Sequence, residues 1–95
     1  MSDAINTAVE KLNEKLEGQS IGGTAKFVIE GEGSIIVDDN GARASDDDAD
    51  VTMTASAETF QAMMDGEENP TTAFMTGKLT IDGDMGMAMK LAGVL

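Results

Sequence analysis

Apolar residues recur at helical spacing near the start of the chain, with Ile5, Ala8, Val9, Leu12 and Leu16 on one face over residues 3–17. Ser2 or Asp3 stands where an N-cap belongs, and Gly18 where such a helix stops. The opposite face carries Glu10, Lys11, Glu14, Lys15 and Glu17, which reads as a solvated surface with no function attached. After Gly22-Gly23 the period changes to two. Ala25, Phe27 and Ile29 alternate with Lys26, Val28 and Glu30, and Ile35 and Val37 alternate with Ser34, Ile36 and Asp38, which predicts paired strands. Glu30-Gly31-Glu32-Gly33 turns the first hairpin and Asp38-Asp39-Asn40-Gly41 the second, since Gly and Asn tolerate the positive φ of tight turns. Residues 42–45 return as a third strand, residues 51–56 alternate as a fourth, and Lys78 to Asp82, with Leu79 and Ile81 on one face, make a fifth.

Two short helices are expected between the last two strands. Ser56 caps a segment bearing Phe60, Met63 and Met64, Asn69 caps a turn that opens on Pro70, and Gly66 and Gly77 end them. The segment from Asp84 to Leu95 has Lys90 as its single charge after Asp84, so it is apolar on all sides and needs cover on all sides. Helices, antiparallel strands and a terminal helix in this order argue for an α+β domain, one unit over residues 1–95, with helices on one face of a sheet.

Composition removes whole classes of chemistry. The 95 residues include no Cys, His, Trp or Tyr, so thiolate nucleophiles, cysteine metal sites and imidazole bases are excluded, and catalysis is a poor first reading. Eighteen acidic against six basic residues give a net charge of −12, which repels phosphate backbones and removes nucleic acid from the expected partners. The N-terminus lacks the basic flank and apolar run of a signal peptide, and no run is long enough to cross a bilayer, so a cytoplasmic protein is expected. Asp46, Asp48 and Asp50 mimic the first ligands of a calcium loop. Val51 then replaces its turn glycine and Ala57 its closing glutamate, which leaves an exposed acidic turn. Neither a dinucleotide fingerprint nor a phosphate loop is completed, and no cofactor is expected.

Methionine stands out instead. Of eight in the chain, Met53, Met63, Met64, Met75, Met85, Met87 and Met89 lie in the second half. Met fills irregular cores and equally lines surfaces that adapt to apolar ligands, and the residues alone leave both readings open.

The run Phe74-Met75-Thr76-Gly77-Lys78-Leu79-Thr80-Ile81-Asp82-Gly83-Asp84-Met85-Gly86-Met87-Ala88-Met89-Lys90-Leu91 resembles the closing segment of the sterol carrier protein type 2 family. Asp50-Val51-Thr52-Met53-Thr54, the helix bearing Phe60, Met64-Asp65-Gly66 and Asn69-Pro70 are similar to its middle section. The resemblance implies a five-stranded, mainly antiparallel sheet covered by helices, with an apolar tunnel that takes fatty acids, fatty acyl-CoA, phospholipids or sterols without chemistry. Carried over by position, the tunnel wall draws on Phe60, Met63, Met64, Phe74, Met75, Leu79, Ile81, Met85, Met87, Met89 and Leu91.

Two departures bear on what the resemblance implies. The chain ends Gly93-Val94-Leu95 rather than on a Ser-Lys-Leu-like address, and its acidity differs from the basic surface of animal members, which weakens docking on anionic membranes. The expected function is a non-enzymatic lipid carrier with a lipid or fatty acyl ligand. The alternative is an interaction or accessory module that uses the apolar terminal helix and presents a lipid intermediate to a partner enzyme. Transient membrane contact and a homodimer are the further partnerships left open.

Overall fold

The computed structural model describes residues 3–19 and 21–94, so Ser2, the alternative cap of the first helix, and Leu95 lie outside the described residues. The elements follow in the order α1 (Asp3–Leu16), β1 (Ala25–Glu30), β2 (Gly33–Asp38), β3 (Gly41–Ala44), β4 (Val51–Ser56), α2 (Ala57–Met64), α3 (Pro70–Met75), β5 (Leu79–Gly83) and α4 (Met85–Val94). The expected third and fifth strands each sit one residue away from their sequence placement. Strand order is β3-β2-β1-β4-β5. The β1/β2, β2/β3 and β4/β5 pairs are antiparallel, whereas the central β1/β4 pair is parallel, with Ala25 level with Val51 and Phe27 with Met53.

Alternation sends one side chain of every two to a common inner face. Ile35, Phe27, Met53 and Ile81 form one row across four strands, and Val37, Ala25 and Val51 form the next. All four helices pack on this face. α1 brings Ile5, Ala8, Leu12 and Leu16, each at most 6% exposed, onto its β2/β3 side. The outer face is polar, with Lys26, Ser34, Arg43, Thr52, Thr54 and Thr80. Ile36 stands in that face and is fully buried nonetheless.

The parallel pair explains Ile36. A chain leaving β3 at the far edge must travel back along the sheet before it can start β4 in the direction of β1, and residues 45–50 make that passage over the outer face. Lys26 Nζ binds Asp46 Oδ1 at 2.8 Å and its carbonyl at 3.2 Å, Ser34 Oγ donates to Asp46 Oδ1, and Thr24 N–H donates to Asp50 Oδ2. The aspartate run is thus a strap tied down at both ends, with Asp47 and Asp48 exposed between the ties.

In both hairpins the positive φ falls on glycine alone. Glu32 N–H closes the first turn on Ile29 C=O with Gly31 at φ 78°, the third position that a type II turn reserves for glycine. In the second, Asn40 keeps a negative φ and donates its N–H to Asp38 Oδ1, and Gly41 takes φ 112°. Gly41 is doubly fixed, because a Cβ there would lie 2.5 Å from Asn13 Oδ1. Asn13 reaches from α1 to the exposed edge of the sheet, accepting Ala42 N–H at 2.8 Å and donating to Ala42 C=O at 3.0 Å. An edge strand left open would template further pairing, and this amide closes it at its centre.

Asn13→Ala strips both bonds from Ala42 and is expected to lower stability by about 1–3 kcal/mol. Gly41→Ala, which forces the same contact apart, is expected to lose roughly 1–3 kcal/mol. Because both act on one contact, the double variant loses less than the sum, measurable by urea denaturation.

Two carboxylates are held below the usual range, Asp38 by the Arg43 guanidinium and the Asn40 N–H, and Asp46 by the Lys26 ammonium and then the Ser34 hydroxyl. A lowered folded-state value means that these bonds contribute stability above the unfolded carboxylate pKa of about 4 and lose it as pH falls further. Asp38→Asn with Asp46→Asn is therefore expected to flatten the loss of thermal stability below about pH 4. An unchanged acid limb in melting experiments would count against the strap.

Candidate functional site

The β4 side of the inner face is roofed by α2, α3 and α4, and each is positioned by its first residue. Ser56 ends β4 and turns the chain into α2 at once, its Oγ accepting Thr59 N–H at 3.1 Å, which aims Phe60, Met63 and Met64 at the sheet. Asn69 Oδ1 accepts Thr71 N–H at 2.8 Å and Pro70 follows with its φ already fixed, so α3 starts sharply. Lys78 N–H then returns to Ala73 C=O at 2.8 Å, and β5 begins directly at Leu79. Asp84 Oδ1 accepts Met87 N–H at 3.2 Å and opens α4.

An apolar cavity of about 30 Å³ lies between α3, β5 and α4. Its floor is the sheet row Phe27, Met53 and Ile81 with Leu79, and Met63 closes the α2 side. Pro70, Thr71 and Phe74 form one lip, and Ala88, Met89 and Ala92 the other. Among the described residues, no titratable side chain lines it. The volume holds only two or three water-sized spheres, against several hundred Å³ for an ordinary small-molecule site, so a ligand would need the lips to part. Phe74 and Met89 are the side chains placed to do so, 41% and 53% exposed.

A larger cavity, about 230 Å³, opens between α1 and α2 over the end of β1. Ala8, Ile29, Ala57, Phe60 and Met64 make its apolar floor, and Asp3, Thr7, Lys11 and Gln61 its polar rim. Lys11, read from the sequence as part of a solvated face, binds Asp65 Oδ1 at 2.9 Å from this rim and ties α1 to the end of α2. The two cavities are separated by an aromatic pair, Phe27 facing one and Phe60 the other, with rings 5.2 Å apart and inclined at 68°.

The eleven residues carried over from the resemblance divide between these places. Met63, Phe74, Leu79, Ile81 and Met89 line the α3–α4 cavity, and Phe60 and Met64 the α1–α2 groove. Met75, Met85, Met87 and Leu91 line neither. Met75 and Met85 are exposed, Leu91 is fully buried in the core, and Met87 packs against the 22–23 loop. α4 thus presents Met87, Ala88 and Leu91 inward and Met85 and Met89 outward, although its sequence shows little polarity between faces. Phe27 and Met53 also line the α3–α4 cavity and are not among the eleven; alternation puts each on the apolar face of its own strand, while the row they share with Ile81 comes from the strand pairing.

Four helices over one face of a five-stranded sheet, with a small apolar cavity between α3, β5 and α4, give the frame of the candidate site. Residues 4–95 match the model of the SCP-2 sterol transfer family, and the chain belongs to that family. It is similar to sterol carrier protein 2 of Gallus gallus, 45% identical over 73 residues that make up 74% of this chain and 12% of the other. It is also similar to hydroxysteroid dehydrogenase-like protein 2 of Danio rerio, 58% identical over 43 residues, 45% of this chain and 10% of the other. The chain therefore spans only about a tenth of the length of these curated relatives. Its fold matches the solution structure of sterol carrier protein 2 from Aedes aegypti at a TM-score of 0.78 and 22% identity, covering 98% of this chain and 94% of that one.

The two faces of α4 give a direct test. Met87→Asp buries an unpaired carboxylate and is expected to cost on the order of 3–5 kcal/mol. Met89→Asp, at the exposed lip, is expected to stay within about 1 kcal/mol of the parent while placing a charge at the cavity mouth. Denaturation midpoints that fall equally for both would contradict the lip placement.

Proposed function

We propose that this chain binds and transfers lipids without chemistry, taking the apolar chain of a fatty acid, fatty acyl-CoA, phospholipid or sterol-like ligand between α3 and α4. The carrying observation is the predominantly apolar cavity behind two half-exposed lips, in the fold of a sterol carrier protein whose structure holds the C16 fatty acid palmitate. Met53, Met63 and Met89 in the wall supply unbranched side chains that repack around ligands of different shape. No described helix is long and apolar enough to cross a membrane. We place the carrier in the cytoplasm, with transient membrane contact at loading and unloading. The interaction-module reading is not favoured, because the family match and the palmitate-bound structure of the same fold support a carrier, although Met85 and Met89 leave an apolar outer face on α4.

Titration with octanoate, decanoate and dodecanoate tests the reading. Each buried methylene contributes about 0.8 kcal/mol, so affinity is expected to rise by roughly two orders of magnitude from the first to the last. Ala92→Phe fills the cavity from a half-buried position and is expected to weaken dodecanoate binding about tenfold with little change in stability. Affinity that ignores chain length would sink the carrier.

A further inference from the structure

The α1–α2 groove is several times larger than the cavity that the apolar second half of the chain builds. The two lie on opposite sides of one helix. Met63 and Met64 are consecutive on α2 and point into the cavity and the groove respectively, and the Phe27–Phe60 pair fills the gap between them. An edge-to-face pair contributes only about 0.5–1.5 kcal/mol beyond its burial, so a ligand chain can replace the contact by displacing the Phe60 ring.

The chemistry of the groove differs from that of the cavity. Its floor is apolar, while Thr7 and Gln61 place a hydroxyl and an amide at the rim, groups that both donate and accept hydrogen bonds. The rim cation Lys11 already binds Asp65 at 2.9 Å, Asp3 stands on the same rim, and the chain carries −12 overall. An anionic end would meet net negative charge here, and an uncharged one would find hydrogen-bond partners.

We propose that the α1–α2 groove is the outer half of the lipid site and takes the uncharged polar end of a single-chain lipid, whose tail passes Phe60 into the cavity between α3 and α4. This rests on the lipid-binding reading above. It gives the ligand a polar anchor, which the apolar cavity lacks, and a length of enclosed path that neither space supplies alone.

The test compares 1-monopalmitoylglycerol, palmitate and palmitoyl-CoA on the parent protein, on Thr7→Trp, which fills the groove from an exposed position, and on Ala92→Phe, which fills the cavity. The glyceride is expected to bind the parent most tightly at low salt, with the gap narrowing as salt screens the charge. Both variants are expected to weaken it at least tenfold while keeping the parent's melting temperature. If Thr7→Trp binds like the parent while Ala92→Phe does not, the groove is no part of the site, and the carrier reading stands without it. Palmitate or palmitoyl-CoA binding more tightly than the glyceride would overturn the uncharged end. A parent protein that binds none of the three would remove the carrier reading and this inference together.

Discussion

Only one face of the sheet is covered by helices, so the chain has a single apolar layer in which to place both its core and any ligand space. That constraint follows from the parallel β1/β4 pair. To reach β4 the chain must recross the sheet, and it does so over the outer face as the strap of residues 45–50, held by Lys26, Ser34 and Thr24. With that face occupied by a polar strap, every helix goes to the other side. The two cavities therefore lie between helices and sheet, where α1, α3 and α4 each meet α2 or the inner rows.

Local features were the legible part of the sequence. Ser56 and Asn69 act as caps where they were expected to, and Leu12, Phe27, Val37 and Met53 are buried as their periodicity requires. Strand direction was not legible, because alternation reads the same for parallel and antiparallel neighbours. Ile36 shows the consequence: a residue assigned by alternation to the solvent face is buried by a loop whose path depends on the nonlocal β1/β4 pairing.

The candidate site was legible to the same depth. An all-apolar α4 carries no periodic signal, so nothing in its sequence separates buried Met87 from exposed Met89 two residues on. Thr7, Lys11 and Gln61 look like ordinary surface residues of amphipathic helices. They become a rim because α1 and α2 pack side by side above Ile29, an approach that the Lys11–Asp65 pair spans at the surface. A site assembled across two helices distant in sequence leaves no motif in either.

The small volume of the α3–α4 cavity follows from the same shared layer. A permanently open cavity costs about 24 cal/mol per Å³ in lost packing, so space for a whole acyl chain held empty would consume much of the 5–15 kcal/mol by which a domain is stable. A site closed when empty avoids that loss, and the ligand meets the opening energy as reduced affinity. What keeps that energy low is the choice of wall. Phe74 and Met89 stand partly exposed, with solvent to swing into, and Met53 and Met63 have no branched Cβ to obstruct a change of rotamer. Met enrichment in the second half suits both a core and the proposed site, since a side chain that packs well in several shapes is what a shared layer needs.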